Sequence, residues 1–187
     1  MSNFLSMIGS ERPGSFNAST VALIEQQIQA NNDTVTRIDL AALALPIYSQ
    51  VLEQSGGQPS GATALRAALS SSQGLIIGSP EYNGFMPPLL LNALTWATRG
   101  DDGQSDLSVW RLKPCLITAS SPGPIGGIRG AGHLATFLLG IGASVYPDFF
   151  IVPNAMKVFD GADAVNATPF QSRAEQLVTG FKAFAER

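Results

Sequence analysis

The stretch GLIIGSPEYNGFMPPLLLNALTWATR, residues 74–99, decides the fold of this chain. Its apolar run at 75–77 is too short for a helix and is flanked by glycines, as in a strand buried within a parallel sheet. Pro80 ends that strand, Asn83-Gly84 is strong turn chemistry, and Pro87-Pro88 suits the first turn of a helix. We therefore predict that SPEYNGFM is a strand-to-helix loop at the carboxyl edge of an open α/β sheet, where ligands bind. An ordinary solvated turn is the alternative.

Strand and helix patterns alternate along the rest of the chain. Strands are predicted at residues 4–8, 35–40 and 113–119 and within 145–152; helices are predicted after the first strand, at 62–69, at 129–139 and from Thr168-Pro169 onward. Residues 41–61 are predicted to be a loop or linker, and residues 100–112 a polar excursion with Trp110 and Leu112 as anchors. This alternation favours right-handed crossovers onto a parallel sheet.

The composition restricts the class of protein. A chain of 187 residues with 45% hydrophobic content suits one domain over residues 1–187. Only 13% of residues are charged, the net charge is −3, and no basic block occurs, so nucleic acid is not an expected partner. Neither a basic leader nor an apolar run of membrane-span length is apparent. We therefore expect a cytoplasmic location and no membrane partner.

The first predicted loop, GSERPGSFN at residues 9–17, suits a phosphate group. It joins a strand to a helix N-terminus, where unpaired N–H groups and the positive end of the helix dipole favour an anion. Ser10, Ser15 and Asn17 can donate hydrogen bonds, and Arg12 adds a charged fork suited to phosphate. The alternative is that Ser15 or Asn17 merely caps the helix.

Missing residues narrow the kind of nucleotide. Gly9 and Gly14 have the spacing of a Walker A loop, but Ser15-Phe16 replaces the Lys-[Ser/Thr] pair, which disfavours nucleoside triphosphate hydrolysis. The dinucleotide fingerprint GxGxxG is absent from the first loop and from residues 123–130. The ligand class that these absences leave for the first loop is a mononucleotide.

The residues required for cysteine, histidine or metal-dependent catalysis are missing from the sequence or stand in unsuitable positions. A cysteine phosphatase needs Cys-x5-Arg, but Ser121 stands six residues after Cys115, the single cysteine, which also excludes an intramolecular disulfide. The only histidine, His133, is expected at the surface or in packing, and Asp101-Asp102 is expected to be a solvated turn. No metal site is predicted.

The PEYNG segment, the prolines and leucines after it, and NALTWATR resemble the signature of the NADPH-dependent FMN reductases, the flavodoxin-like group that includes bacterial quinone, chromate and azo-dye reductases. The expected fold is an α/β three-layer sandwich whose five-stranded parallel sheet has the flavodoxin-like order 2-1-3-4-5. That order makes GSERPGSFN and SPEYNG face one crevice. The resemblance implies hydride transfer from NADPH or NADH, via bound FMN, to a small acceptor such as a quinone, chromate or azo compound.

The resemblance also implies site residues. The family's SxRxxSxN phosphate motif corresponds here to Ser10, Arg12, Ser15, Phe16 (through its backbone) and Asn17. The segment that flanks the flavin corresponds to Pro80, Glu81, Tyr82, Asn83 and Gly84. A third loop of the family places Ser120 beside the flavin. Glu11 departs from the family pattern, where an apolar residue is more usual, and must point away from a phosphate. No catalytic side chain is implied, because the chemistry belongs to the flavin.

Several alternatives remain open at this stage. Glu81 can cap the helix that follows its loop, pair with an arginine or form a subunit contact. The helix beginning near Pro87 and the loop at residues 121–130 can wall a cleft in which nicotinamide and then an acceptor stack over the flavin. Arg129 can attract a nucleotide phosphate or anionic acceptor there, or form a subunit contact. The aromatic run at 146–150, with the habit of the resembling family, predicts a homodimer or homotetramer. The rival functions are a flavodoxin-like electron carrier, which mild acidity and Arg12 disfavour, and a reductase that supplies reduced FMN to a monooxygenase.

Overall fold

A computed structural model describes residues 1–159 and 168–186, and a parallel sheet forms its centre. The strands are β1 (Asn3–Ile8), β2 (Thr34–Ile38), β3 (Gly74–Gly78), β4 (Pro114–Ser120), β5 (Ser144–Val145) and β6 (Phe150–Val152). Their order is β2-β1-β3-β4-β5, and β6 also pairs with β4. Every pairing is parallel, so the predicted flavodoxin-like order is confirmed.

The last strand differs from the prediction. The sequence predicts one strand within residues 145–152, whereas the structure has two short strands that pair with different parts of β4. Pro147 lies between them and has no N–H to donate, so the ladder is interrupted there. Within the described residues the sheet therefore has the five expected positions and one additional short strand, β6, beside β4.

Helices cover both faces of the sheet, as a three-layer sandwich requires. They are α1 (Phe16–Ala30), α2 (Gln50–Gly56), α3 (Ser60–Ser71), α4 (Pro88–Trp96), α5 (Ile128–Gly140), α6 (Ala155–Val158) and α7 (Thr168–Ala185). Side chains of α1 and α7 pack on one face, and those of α3, α4 and α5 pack on the other. The short helices α2 and α6 were not predicted.

Side chains of the central strands alternate between the two layers, as the two-residue repeat of a strand dictates. Ile76 of β3 and Leu116 of β4 join the cluster of α1 and α7, whereas Ile77 and Ile117 join the cluster of α3, α4 and α5. Every residue of β3 is buried, as expected for a strand covered on both faces. This rigid centre fixes the positions of the loops that follow each strand.

The long connection between β2 and α3 is bound to α4 and the turn after it. Trp96 Nε1 donates to the Pro46 carbonyl at 2.7 Å. Arg99 forms two hydrogen bonds with Glu53 of α2, 2.8 Å from Nε to Oε1 and 2.9 Å from Nη2 to Oε2. The Glu53 side chain is only 1% exposed. The segment predicted as a linker is therefore part of the packed structure.

The polar excursion at residues 100–112 has one anchor of the two expected. Trp110 is fully buried, and its Nε1 donates to the Ala97 carbonyl at 3.1 Å. Leu112 is 74% exposed and anchors nothing, so that part of the prediction is wrong. The tight turn around Leu112, whose φ is 57°, turns its side chain toward solvent.

The aromatic run before β6 packs within the same chain. The Tyr146 ring lies 5.8 Å from that of Phe181 and 5.5 Å from that of Phe184, both on α7. Phe150 is fully buried beside Phe170 of the same helix. Helix α7 thus covers much of the surface from which an oligomer was predicted.

In neither described range is a helix both long and apolar enough to cross a bilayer.

Candidate functional site

Three loops meet at the carboxyl ends of β1, β3 and β4, which are neighbours in the sheet. They line a cleft of about 330 Å³, at the place where the strand order predicts a ligand site. All the predicted site residues except Asn83 and Gly84 line it: Ser10, Arg12, Ser15, Phe16, Asn17, Pro80, Glu81, Tyr82 and Ser120. The structure thus gathers residues that are up to 110 positions apart along the chain.

The first loop presents the N-terminus of α1 to this cleft. Ser15 is the N-cap residue and is buried, yet its side chain makes no capping hydrogen bond. The N–H groups of Phe16 and Asn17 belong to the first turn, where a helix offers no carbonyl partner. The alternative that the Ser15 hydroxyl only caps the helix is therefore wrong, and donors remain available to an anion at this point.

Arg12 brings a positive charge to the same end of the cleft. Its guanidinium lies over the Phe16 ring, 5.5 Å from the ring centroid, and it forms no salt bridge with any described residue. The Phe16 ring in turn stacks on Phe159 at 6.3 Å. Packing thus supports an unpaired cation next to free backbone donors.

Asn17 connects two of the loops. Its Nδ2 donates to the Ser120 carbonyl at 3.0 Å, and its Oδ1 accepts from the Ser120 N–H at 3.1 Å. The side-chain amide therefore joins the start of α1 to the end of β4 and caps no helix. What Asn17 offers to a ligand in the cleft is chiefly its backbone N–H.

The hydroxyl of Ser120 is the clearest sign of a ligand. Its Oγ is buried and has no hydrogen-bond partner in the described part of the chain. A buried hydroxyl without a partner costs about 1–3 kcal/mol, so such groups are normally satisfied. Ser120 lines the cleft, and a polar ligand edge placed there would supply the partner.

The loop after β3 contains a tight two-residue turn. Asn83 and Gly84 have φ angles of 53° and 82°, as a turn of type I′ requires. The N–H of Tyr82 donates to the Phe85 carbonyl at 2.9 Å, and the Phe85 N–H donates back at 3.0 Å. The turn holds Tyr82 at the cleft, whereas Asn83 and Gly84 themselves lie outside its lining.

Glu81 links this loop to the N-terminus of α5. Arg129 Nε donates to Glu81 Oε1 at 2.8 Å, and the Gly130 N–H donates to Oε2 at 3.0 Å. The arginine pair is thus realised, and the carboxylate caps α5 rather than the helix that follows its own loop. Burial alone raises the pKa of Glu81, but these hydrogen bonds outweigh it and hold the pKa below its usual value. The carboxylate stays ionised at neutral pH.

Gly130 allows this close approach. A Cβ at that position would lie 3.1 Å from the Phe85 carbonyl oxygen and 3.3 Å from the Glu81 side chain. A side chain there would require Phe85 or Glu81 to shift by a few tenths of an ångström. The contact between the two cleft walls therefore depends on a missing side chain.

A second space, which we call the chamber, adjoins the cleft. It measures about 540 Å³ and is lined by Gly9, Ser10, Glu11, Arg12, Pro13, Tyr82, Pro87 and Leu89. Ser10, Arg12 and Tyr82 line both spaces. Glu11 lines the chamber and is absent from the lining of the cleft, as expected for an acid beside a phosphate site.

Four further lining residues belong to the two segments that the sequence predicted as walls of the cleft. Ser121 and Pro122 follow Ser120 into the cleft, and Pro87 and Leu89 at the start of α4 form a wall of the chamber. Ser121 and Pro122 stand in the SSPGPIGG loop, so their position after a strand was an available signal. The helix predicted to begin near Pro87 forms a wall of the chamber, beside the first loop.

The excluded chemistries find no support in the structure. Cys115 is fully buried in β4, and burial raises the pKa of its thiol to about 12. His133 is exposed on α5, with its ring 4.8 Å from that of Phe85. Across residues 1–159 and 168–186, no group of acidic, cysteine and histidine side chains is arranged to hold a metal ion.

The donor set of the cleft fits FMN. An unpaired arginine and the start of α1 at one end suit a phosphate. The orphaned Ser120 hydroxyl and the walls formed by Pro80, Tyr82 and Pro122 suit a flat ring with polar edges. Fold and site together define a flavodoxin-like protein with a mononucleotide site at the switch point of its sheet.

The chain belongs to the NADPH-dependent FMN reductase family, whose model matches residues 2–157. It is therefore an oxidoreductase that uses FMN and NAD(P)H. It is 32% identical over 147 residues to a quinone reductase of Escherichia coli K12, covering 78% of this chain and 74% of that protein. It is 35% identical over 128 residues to a 2-hydroxy-1,4-benzoquinone reductase of Burkholderia sp., covering 68% and 65% respectively.

Solved structures share the fold. FerB from Paracoccus denitrificans, described as a flavoenzyme NAD(P)H:(acceptor) oxidoreductase, superposes with a TM-score of 0.82 at 23% identity. The match covers 100% of this chain and 98% of FerB. At this identity the comparison concerns the fold alone, and it agrees with the sheet order described above.

Proposed function

We propose that this protein reduces quinones with electrons from NAD(P)H, through FMN held in the cleft. The observation that carries the proposal is the pairing of an uncompensated Arg12 and free α1 N–H groups with the orphaned Ser120 hydroxyl, across one narrow site. The names of the relatives support a quinone as the acceptor. Chromate and azo compounds are further acceptors to test.

Each side of the cleft has a proposed role. Ser10, Arg12, Ser15 and the backbone of Phe16 and Asn17 hold the FMN phosphate. Pro80, Glu81, Tyr82 and Ser120 flank the ring, and Asn83-Gly84 contributes through the turn that positions Tyr82. Ser121 and Pro122 complete the wall on the β4 side.

The overall reaction is NAD(P)H + H⁺ + quinone → NAD(P)⁺ + hydroquinone. FMN, when bound, supplies the redox chemistry. The chain binds and orients, because the ionisable side chains lining the cleft are Arg12, Glu81 and Tyr82. Glu81 is held ionised by Arg129 and Gly130, so it is poorly suited to carry a proton. Protons are therefore expected to come from solvent.

Anaerobic stopped-flow spectroscopy tests this function. NAD(P)H should bleach the bound FMN, and 1,4-benzoquinone should restore its colour with no partner protein present. Failure of both nucleotides to reduce the flavin would contradict the proposal. Release of reduced FMN before the quinone reacts, detected by rapid gel filtration, would favour the reductase that supplies a monooxygenase. The electron-carrier alternative conflicts with the reductase family to which the chain belongs.

We also propose that residues 1–187 form one FMN-binding domain, that the protein is a homodimer or homotetramer, and that it works in the cytoplasm. Packing of Tyr146 and Phe150 under α7 removes the first reason for an oligomer. Exposed apolar side chains elsewhere, such as Ile47, Val51 and Leu139, now support it. Light scattering at micromolar concentration that gives a monomer would contradict the oligomer, and cell fractionation tests the location.

A further inference from the structure

We infer that Glu11 is a specificity-determining residue that makes the chamber select uncharged acceptors over anionic ones. The inference rests on the proposed function, because it takes the chamber to be the place where the acceptor approaches the flavin site. It concerns this chain's own Glu11, and the relevant substrate class is an uncharged quinone rather than a sulfonated or carboxylated one.

The shape of the chamber suits an apolar ring. Gly9, Pro13, Tyr82, Pro87 and Leu89 form most of its lining, and none of them carries a charge. The shared Tyr82 places this apolar wall next to the cleft. A small aromatic acceptor can therefore enter beside the bound cofactor and place its apolar ring faces against this wall.

Charge in the chamber comes from Glu11 and Arg12. Arg12 also lines the cleft, where the proposed function pairs it with the FMN phosphate. In that pairing the FMN phosphate neutralises the charge of Arg12, because a phosphate carries more negative charge than one arginine can balance. Glu11 is then the uncompensated carboxylate in the chamber of the loaded enzyme.

Among residues 1–159 and 168–186, no cation forms an ion pair with Glu11. The salt bridges of the described residues do not include it, and its side chain is exposed. On its other side lies a groove that contains Arg37 and Asp39. Arg37 is already paired with Glu25, and Asp39 Oδ1 accepts from the Ala41 N–H at 2.9 Å. The field that an approaching acceptor meets is therefore negative.

Reoxidation kinetics measure this selection directly. The holoenzyme, saturated with FMN and reduced by one equivalent of NADH, is mixed anaerobically with 1,4-naphthoquinone or with its 2-sulfonate. The ratio of the two second-order rate constants, sulfonate over uncharged quinone, is compared between wild type and Glu11→Gln. One charge acting over several ångströms in a solvated site changes such a ratio by about three- to tenfold. We expect the ratio to rise by that factor, and to rise further in Glu11→Lys.

Asp101→Asn is the matched control. It removes one exposed carboxylate from the loop at 100–112, away from the cleft, and should leave the ratio unchanged. The increase in Glu11→Gln should shrink as KCl is raised to 0.5 M, because salt screens exposed charges. A purely structural effect of the substitution would not respond to salt.

The outcomes separate the two proposals. If wild type binds FMN and reduces both quinones, but Glu11→Gln and Glu11→Lys leave the ratio unchanged, the role of Glu11 is wrong and the proposed function stands. An equal rise in Asp101→Asn also overturns the role of Glu11, since net charge alone then explains the effect. If wild type neither binds FMN nor passes electrons to the uncharged quinone, both proposals are wrong.

Discussion

The surroundings of Arg12 favour the binding of an anion. Its guanidinium lies over the Phe16 ring, at the first residue of α1, and has no carboxylate partner within the described ranges. An arginine held against an aromatic ring loses little further side-chain freedom when it binds a phosphate. The local packing thus prepares Arg12 for binding before a ligand arrives.

Replacing Arg12 by alanine should weaken FMN binding about ten- to hundredfold. The reason is that a hydrogen bond to a charged group contributes about 1.5–3 kcal/mol. Fluorescence titration of the apoprotein with FMN measures the effect. Arg111→Ala, an exposed arginine outside the cleft, is the control and should bind FMN as wild type does. Equal affinities of Arg12→Ala and wild type would remove Arg12 from the site.

Glu81→Gln should lower the free energy of unfolding by about 1–3 kcal/mol at pH 7, because charge-assisted hydrogen bonds from Arg129 and Gly130 are weakened. The folded pKa of Glu81 lies below its usual value of 4.5. Its contribution is therefore complete above about pH 4.5 and is lost as pH falls through the folded pKa. Urea unfolding from pH 7 to 3 should show the difference between the two proteins shrinking. A difference that is constant with pH would contradict this account.

At the scale of elements, α4 holds two parts of the protein at once. Its first residues form a wall of the chamber. Trp96 at its last residue and Arg99 in the turn after it bind the connection between β2 and α3. The NALTWATR segment therefore has a structural role at the C-terminal end of the helix. A substitution that breaks that contact is expected to shift α4 and thereby the wall of the chamber that α4 forms.

Arg99→Ala should destabilise the protein by about 3–5 kcal/mol at pH 7, because it leaves Glu53 buried without its cation. In wild type the Arg99 hydrogen bond is the largest influence on Glu53 and lowers its pKa, so the stabilisation is lost as pH falls through that folded pKa. The deficit of Arg99→Ala should therefore be smaller at pH 4 than at pH 7, and adding Glu53→Gln should recover part of it. Urea unfolding measures both effects.

Arg37→Ala provides the comparison for this prediction. Arg37 also pairs with a glutamate, Glu25, but its side chain is 41% exposed and the ion pair is open to water. Its removal should cost about 1 kcal/mol or less. Equal losses for Arg37→Ala and Arg99→Ala would show that burial of Glu53 does not matter.

The sequence predicted the elements whose signals are local. Residues 75–77, bounded by glycines and followed by Pro80, identified β3 and its loop. The alternation of strands and helices indicated a parallel sheet, and the family resemblance supplied its order. Helix α2 was missed because Glu53 is held by Arg99, 46 positions away along the chain. For the same reason the residues that line the cleft could be named from the resemblance, while the bond between Asn17 and Ser120 could not, since it joins residues 103 positions apart.

At the scale of the whole molecule, cofactor and fold are linked by mass action. FMN at about 100 times its dissociation constant adds about 2.7 kcal/mol to the stability of the folded state. For a chain of this size that corresponds to an increase in Tm of about 5–10 °C. Differential scanning fluorimetry of apoprotein with and without FMN measures it. Riboflavin, which lacks the phosphate, should give a smaller increase at the same concentration, and an equal increase would contradict the phosphate role of the first loop.

The burial of Cys115 within β4 has a consequence for the lifetime of such an enzyme. Quinones are electrophiles that add covalently to thiolates, and a protein that turns them over is exposed to its own substrate as an alkylating agent. The only sulfhydryl of this chain is fully buried between the sheet and the layer of α3, α4 and α5, and a pKa of about 12 keeps it protonated. Suicide inactivation through sulfur is therefore closed off. Intact-mass spectrometry after thousands of turnovers with benzoquinone should find no adduct on Cys115.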